Sequence, residues 1–165
     1  MSKLEKMTLT IKNYDAQGGG DLDALYRRVR AEDEHGSTIN LKEVVMPNYL
    51  KRHGAIATDV PRVWYYKHAS KKSIIVVGFE KNNGRVECDL DDLRIIARST
   101  MLKGILISVA ALPAGIIAAT ATFGVGLIIT PMCLWYGYRN VFKLPKMLSK
   151  KTLLEDFAKL DVSLR

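Results

Sequence analysis

Between Gly104 and Tyr138 the chain has no Lys, Arg, Asp, Glu or His. A protein soluble throughout would have to enclose these 35 uncharged residues inside a fold of only 165, and a bilayer hides such a run more simply. Cysteine is scarce as well. Cys88 and Cys133 are the only two, far apart in sequence, which argues against a disulfide framework and for a reducing compartment. The opening residues, Met1 to Lys12, alternate charge with short apolar groups and lack the apolar core of a secretory signal. The internal run would therefore direct insertion itself.

The motifs of catalysis are also missing. No serine elbow, metalloprotease helix or dinucleotide fingerprint occurs. Gly18-Gly19-Gly20 lacks the Lys-Ser/Thr pair of a phosphate loop, and Asp21 places negative charge where a phosphate would sit. His35, His53 and His68 lie in three separate segments without metal-ligand spacing. Glu87, Asp89, Asp91 and Asp92 form the densest acidic cluster, but without the calcium-loop pattern they read as an exposed strand face and a helix cap. The sequence thus supplies no catalytic residue, no metal ligand and no cofactor, and a non-enzymatic protein is expected.

What is present is an uneven distribution of charge. Residues 1–101 hold 17 basic and 14 acidic side chains, whereas residues 103–165 hold 8 and 3. Arg139, Lys143, Lys146, Lys150 and Lys151 fall within thirteen residues that contain no acid. With Arg98 and Lys103 on the other flank, these cations bracket the apolar run and are expected to face anionic lipid, each contributing about 1 kcal/mol near a charged surface.

A single helix over the run would reach about 52 Å, whereas a hydrocarbon core is about 30 Å thick. Two short passes fit better, turning at Thr122-Phe123-Gly124-Val125-Gly126, with one helix over Leu102–Ala121 and a second over Leu127–Val141. Basic flanks at both ends would put both termini on the cytoplasmic side of an inner or plasma membrane, and Trp135, Tyr136 and Tyr138 would lie at the headgroups. Pro113 and Pro131 would each kink a helix. A buried hairpin in a soluble protein, or one spanning helix followed by an interfacial segment, are the alternatives. Ala111, Gly115 and Ala119 form a small-residue ridge beside Ala110, Ala114 and Ala118. Such a face permits close helix packing in lipid. The expectation is contact with a second copy, with packing inside the hairpin as the alternative.

The fold class expected is α+β: a small cytosolic mixed-sheet domain over residues 1–101, a short transmembrane helical hairpin over 102–142, and a basic juxtamembrane segment with a C-terminal amphipathic helix over 143–165. Met7, Leu9 and Ile11 alternate with polar residues as in a half-buried strand. Leu22, Leu25, Tyr26 and Val29 give the spacing of an amphipathic helix over Leu22–Ala31, capped by Asp21. Ile39–Met46 reads as strand or helix, Val63–Tyr66 as strand, and Ile74–Phe79 as a central strand. Asn83-Gly84 predicts a hairpin turn into a strand over Arg85–Leu90. Asp89 or Asp91 would then cap a helix running on toward Lys103, coupling domain and hairpin. Thr152 would cap a last helix bearing Leu153, Leu154 and Phe157. That helix would lie on the membrane, fold back on the domain or hold a partner.

Arg62, Tyr65, Lys67, Lys71 and Lys72 are the best candidate interaction patch, for nucleic acid, anionic lipid or an acidic protein. The small net charge of residues 1–101 disfavours nucleic acid. The function expected is a membrane accessory or scaffold subunit, homo-oligomeric, in contact with anionic lipid and with a protein partner. A pore-forming protein, and a lipid- or ligand-sensing regulator, are the alternatives.

Overall fold

The computed structural model describes residues 3–20, 22–81, 84–122, 124 and 128–162. They divide into two compact units, Met1–Ile96 together with Lys150–Arg165, and Ala97–Ser149.

Alternation of apolar and polar residues drives the first unit into strands. β1 (Glu5–Gly19), β2 (Asp23–Asp33) and β3 (Thr38–Pro47) form an antiparallel meander. The short helix α1 (Asn48–Arg52) follows, then β4 (Pro61–His68), β5 (Ser73–Glu80) and the two-residue β6 (Val86–Glu87). β4 pairs with β1 and β5 with β4, both antiparallel. A parallel pairing of β3 with β5, Val44 opposite Ile74, closes the sheet into a five-stranded mixed barrel, with β6 on the far side of β5. The cyclic order is β1-β2-β3-β5-β4, an architecture that by itself assigns no ligand. Leu9, Ile11, Val29, Val44, Met46 and Phe79 fill the interior. Trp64, fully buried among them, donates its Nε1 hydrogen to Ala55 O at 2.9 Å.

The expected helix over Leu22–Ala31 is instead strand β2. Ala24 and Tyr26 are buried, then Val29 and Ala31, which is strand alternation with one phase slip. The slip is a bulge: Asp15 opposes Arg27 and Asn13 opposes Arg30, so β2 carries an extra residue, and Arg28 there has φ 51°. A bulge turns period two into a spacing that imitates a helix face. The proposed Asp21 cap lies outside the described residues. The glycine run does not end β1, which reaches Gly19, with Gly18 at φ 38°. Asn83 lies outside the described residues, while Gly84 donates its N–H to Lys81 O at 2.9 Å with φ 74°. β6 is far shorter than Arg85–Leu90, because Asp89 Oδ1 accepts the N–H groups of both Asp91 and Asp92 at 2.9 Å and starts the next helix.

That helix, α2, spans Leu90–Ala121, with Pro113 inside it. α3 (Ile129–Tyr138) contains Pro131 in its first turn, where the missing N–H would have no intrahelical partner anyway. The second expected helix does not stop at Val141: its backbone turns π-helical over Arg139–Lys143 and runs on into α4 (Leu144–Met147). Leu127 lies outside the described residues.

α5 (Lys150–Ala158) folds back on the barrel. It begins at Lys150, so Thr152 is inside the helix rather than its cap. Adjacent strand residues point to opposite faces, so while Trp64 enters the core, Tyr65 points outward, where its ring centroid lies 5.4 Å from that of Phe157. Leu153 and Phe157 are fully buried, worth about 2 kcal/mol each by apolar burial. Lys67, wholly inaccessible, pairs with Asp156 Oδ2 at 2.7 Å. Removing one member of a buried pair strands the other, at about 3–5 kcal/mol. Asp156→Ala should therefore destabilise the barrel more than Lys67→Met, which leaves Asp156 with Lys159 at 3.6 Å. Chemical denaturation in detergent checks this order, and equal midpoints would contradict it.

Candidate functional site

The second unit places apolar residues on the outside. Leu106, Val109, Leu112, Ile116 and Ile117 on α2, and Met132 and Trp135 on α3, are each 58–73% exposed. α2 is long and apolar enough to cross a membrane: its best 18-residue window has a mean hydropathy of 2.0, and only 17% of that window is buried. A core helix of a soluble protein would be mostly covered. The uncharged part of α2, Gly104 to Ala121, is about 27 Å long, close to the roughly 30 Å of a hydrocarbon core. This is a membrane-associated protein.

Small residues occupy the inside of the same unit. A side chain added at Gly115 would collide with Thr130 Oγ1, and one at Gly137 with Ser108 Oγ. One at Gly104 would meet Asn140 Cβ at 2.9 Å. These pairings run in opposite directions along the chain, so α2 and α3 pack antiparallel, Gly115 and Gly137 each receiving a hydroxyl residue of the other helix. At such separations Cα–H···O contacts add to dispersion. Three hydroxyls on α2 and just past its end are also engaged: Ser108 donates to Gly104 O (2.9 Å), Thr120 to Ile117 O (2.8 Å) and Thr122 to Ala118 O (2.6 Å).

Of the six small residues expected to meet a second copy, Ala111 and Gly115 are buried, Ala118 and Ala119 half-buried, and Ala110 and Ala114 exposed. The two helices' own packing thus takes Gly115, and only the Ala110–Ala114 side is open. From the sequence, Ser108 and Thr130 drew attention only as hydroxyls for the pore reading, and Gly104 and Gly137 were not singled out. The recurrence of small residues at 104, 108, 111 and 115 was the signal that could have found them. The cations Arg98, Lys103, Lys143 and Lys146 are exposed and Arg139 is half-buried, all in the second unit. Lys150 and Lys151, also exposed, belong to α5 and the barrel unit.

The candidate patch on β4 is not one surface. Tyr65 and Lys67 are buried beneath α5, Arg62 is half-buried, and Lys71 and Lys72 are exposed. The sequence could not show this, because the cover comes from a distant helix.

The acidic cluster is structural in its bonding. Glu87 accepts hydrogen bonds from Lys81 Nζ at 3.0 Å and Tyr49 Oη at 2.9 Å. The bond from Lys81, then that from Tyr49, holds its carboxyl below the ordinary carboxylate range, and the same bond raises the Tyr49 phenol. Burial pushes the neighbouring Cys88 thiol up to about 12, the opposite of a reactive thiolate. His53 Nδ1 lies 2.8 Å from Tyr49 O, and His68 Nε2 lies 3.6 Å from Glu5 Oε2. Among the described residues no group of three or more His, Cys, Asp or Glu could hold a metal ion.

Comparison with known proteins gives no matching family model, no matching curated protein and no matching solved structure.

Gly115→Leu should disrupt the packing of α2 on α3, at about 3 kcal/mol or more for a side chain with nowhere to go, whereas Ala114→Leu on the open side should leave it intact. Protease resistance of residues 97–149 in detergent reads the difference, and equal resistance would contradict the seam. Glu87, with its folded pKa lowered, contributes stability that is complete above the ordinary carboxylate range and is lost as pH falls through that range to the lowered value. Glu87→Gln should therefore flatten the acid limb of the stability–pH curve, and an unchanged limb would contradict the assignment.

Proposed function

We propose that the protein is a non-enzymatic membrane accessory or scaffold subunit. α2 and α3 insert as a paired hairpin that anchors the chain and associates with further copies, while the barrel binds or organises another protein on the cytoplasmic side of an inner or plasma membrane. The inside-out character of residues 97–149 carries the reading: small residues between the helices, large apolar ones facing away. In water that arrangement leaves an extensive apolar surface uncovered, and in lipid it is the ordinary arrangement for packed helices.

Charge supports a hairpin with both flanks on one side. Gly104 packs at Asn140, so Lys103 and Arg139, the first charges on either side of the uncharged run, lie about a helical turn apart along the pair. Positive flanks favour the cytoplasmic face. Trp135, Tyr136, Tyr138 and Phe142, each 49–73% exposed, sit beside that charge boundary as an aromatic belt. Association with a second copy is supported by exposed Ala110 and Ala114, which allow close approach on the side α3 does not occupy. The pore reading has less support, since the hydroxyls of Ser108, Thr120 and Thr122 are bonded to their own helix. For a protein partner, exposed Lys71 and Lys72 are the cations of the β4–β5 region open to an acidic surface.

Cysteines introduced at Lys6 and Lys151 should be labelled by an impermeant maleimide from one side of the membrane, and one at Thr122 from the other. Labelling of Lys6→Cys and Lys151→Cys from opposite sides would end the hairpin reading. In the same membranes Ala110→Leu with Ala114→Leu should reduce cross-linked dimer several-fold, and an unchanged yield would remove the association proposed here.

A further inference from the structure

One face of α3 carries a groove of about 500 Å³ lined by Pro131, Met132, Trp135, Tyr136 and Arg139. These positions recur along a single helix face for about 12 Å. The groove is chemically polarised: apolar at Pro131 and Met132, aromatic in the middle, and cationic where the uncharged run ends. Arg139 lines the groove and is half-buried. Its Nε is enclosed with no hydrogen-bond partner among the described residues, so an acceptor from outside reaches it once the side chain turns toward the groove, a move that breaks no bond of that nitrogen. Residues 97–149 contain no Asp or Glu, so no carboxylate of this unit competes for the guanidinium. The π-helical segment begins at Arg139 itself, and such local widening recurs at functional sites.

We infer that this face binds one anionic phospholipid, its acyl chain lying along Pro131, Met132, Trp135 and Tyr136 and its phosphate on the Arg139 guanidinium. The order of the groove, apolar to cationic, is the order of a phospholipid from chain to headgroup. A guanidinium pairs with phosphate in a fixed fork, which a diffuse lysine cloud does not provide. The inference rests on the membrane reading above, and adds a discrete site for one lipid class.

The test uses the full chain purified in neutral detergent, mixed with phosphatidylglycerol or phosphatidylcholine and freed of excess lipid by gel filtration. Retained lipid is counted by mass spectrometry. The wild-type protein should keep one phosphatidylglycerol and prefer it about tenfold over phosphatidylcholine, whose choline ammonium offsets the phosphate charge and repels the guanidinium. Arg139→Gln should abolish the preference, Trp135→Ala should lower retention of both lipids, and Lys42→Gln, at an exposed position in the barrel unit, should change neither. Equal retention of the two lipids by the wild type would overturn the site, as would a preference that survives Arg139→Gln or falls equally with Lys42→Gln. Flotation with pure phosphatidylcholine vesicles separates the two readings. All four proteins should float, so lost preference with retained flotation in the wild type sinks only the lipid site. A wild type that stays at the bottom of the gradient sinks the membrane reading and the site with it.

Discussion

How closely two helical backbones can approach decides the character of the second unit. Gly115 facing Thr130 and Gly137 facing Ser108 leave room for no larger side chain between α2 and α3. The bulky residues are thereby sorted to the outside. Water would oppose such sorting, because the hydrophobic effect drives large apolar groups inward. In lipid that drive is absent, and dispersion between closely packed small residues is the stabilising term. Interhelical geometry, lipid exposure and the position of the charge boundary therefore have one origin.

The barrel unit works by the opposite rule. Its interior is large and apolar, its one deeply buried cation among the described residues is paired, and its outer wall is partly covered by α5. The Lys67–Asp156 pair contributes little net stability as such, since desolvation offsets much of the attraction. It does favour one seat for the helix, the one that brings Asp156 to the buried ammonium. Phe157 against Tyr65 supplies the burial that accompanies the pairing.

Alternation made β1 legible, aromatic content made β4 so, and a nearly uninterrupted apolar run gave away β5 and its central place, where it pairs with β3, β4 and β6. The start of α2 was legible from Asp89, one of two candidate caps. Strand β2 was not, because the bulge at Arg28 shifts its phase and mimics a helical stripe. The closure of the barrel between β3 and β5 leaves no mark in local sequence, and neither does the burial of Lys67, which depends on Asp156 far along the chain. Arg62, Tyr65, Lys67, Lys71 and Lys72 looked like one patch because spacing along a strand says nothing of what covers its face. Sequence reasoning singled out Gly115 for close packing with a second copy, and only Thr130 shows that it faces α3.

Because α5 follows the apolar run in the chain, ribosomal synthesis reaches it only after the run has been translated. Until that run is complete, a barrel already folded from the earlier strands shows Tyr65 without its Phe157 neighbour and Lys67 without Asp156. The last piece of the barrel wall is in this way supplied only after the apolar run has been made.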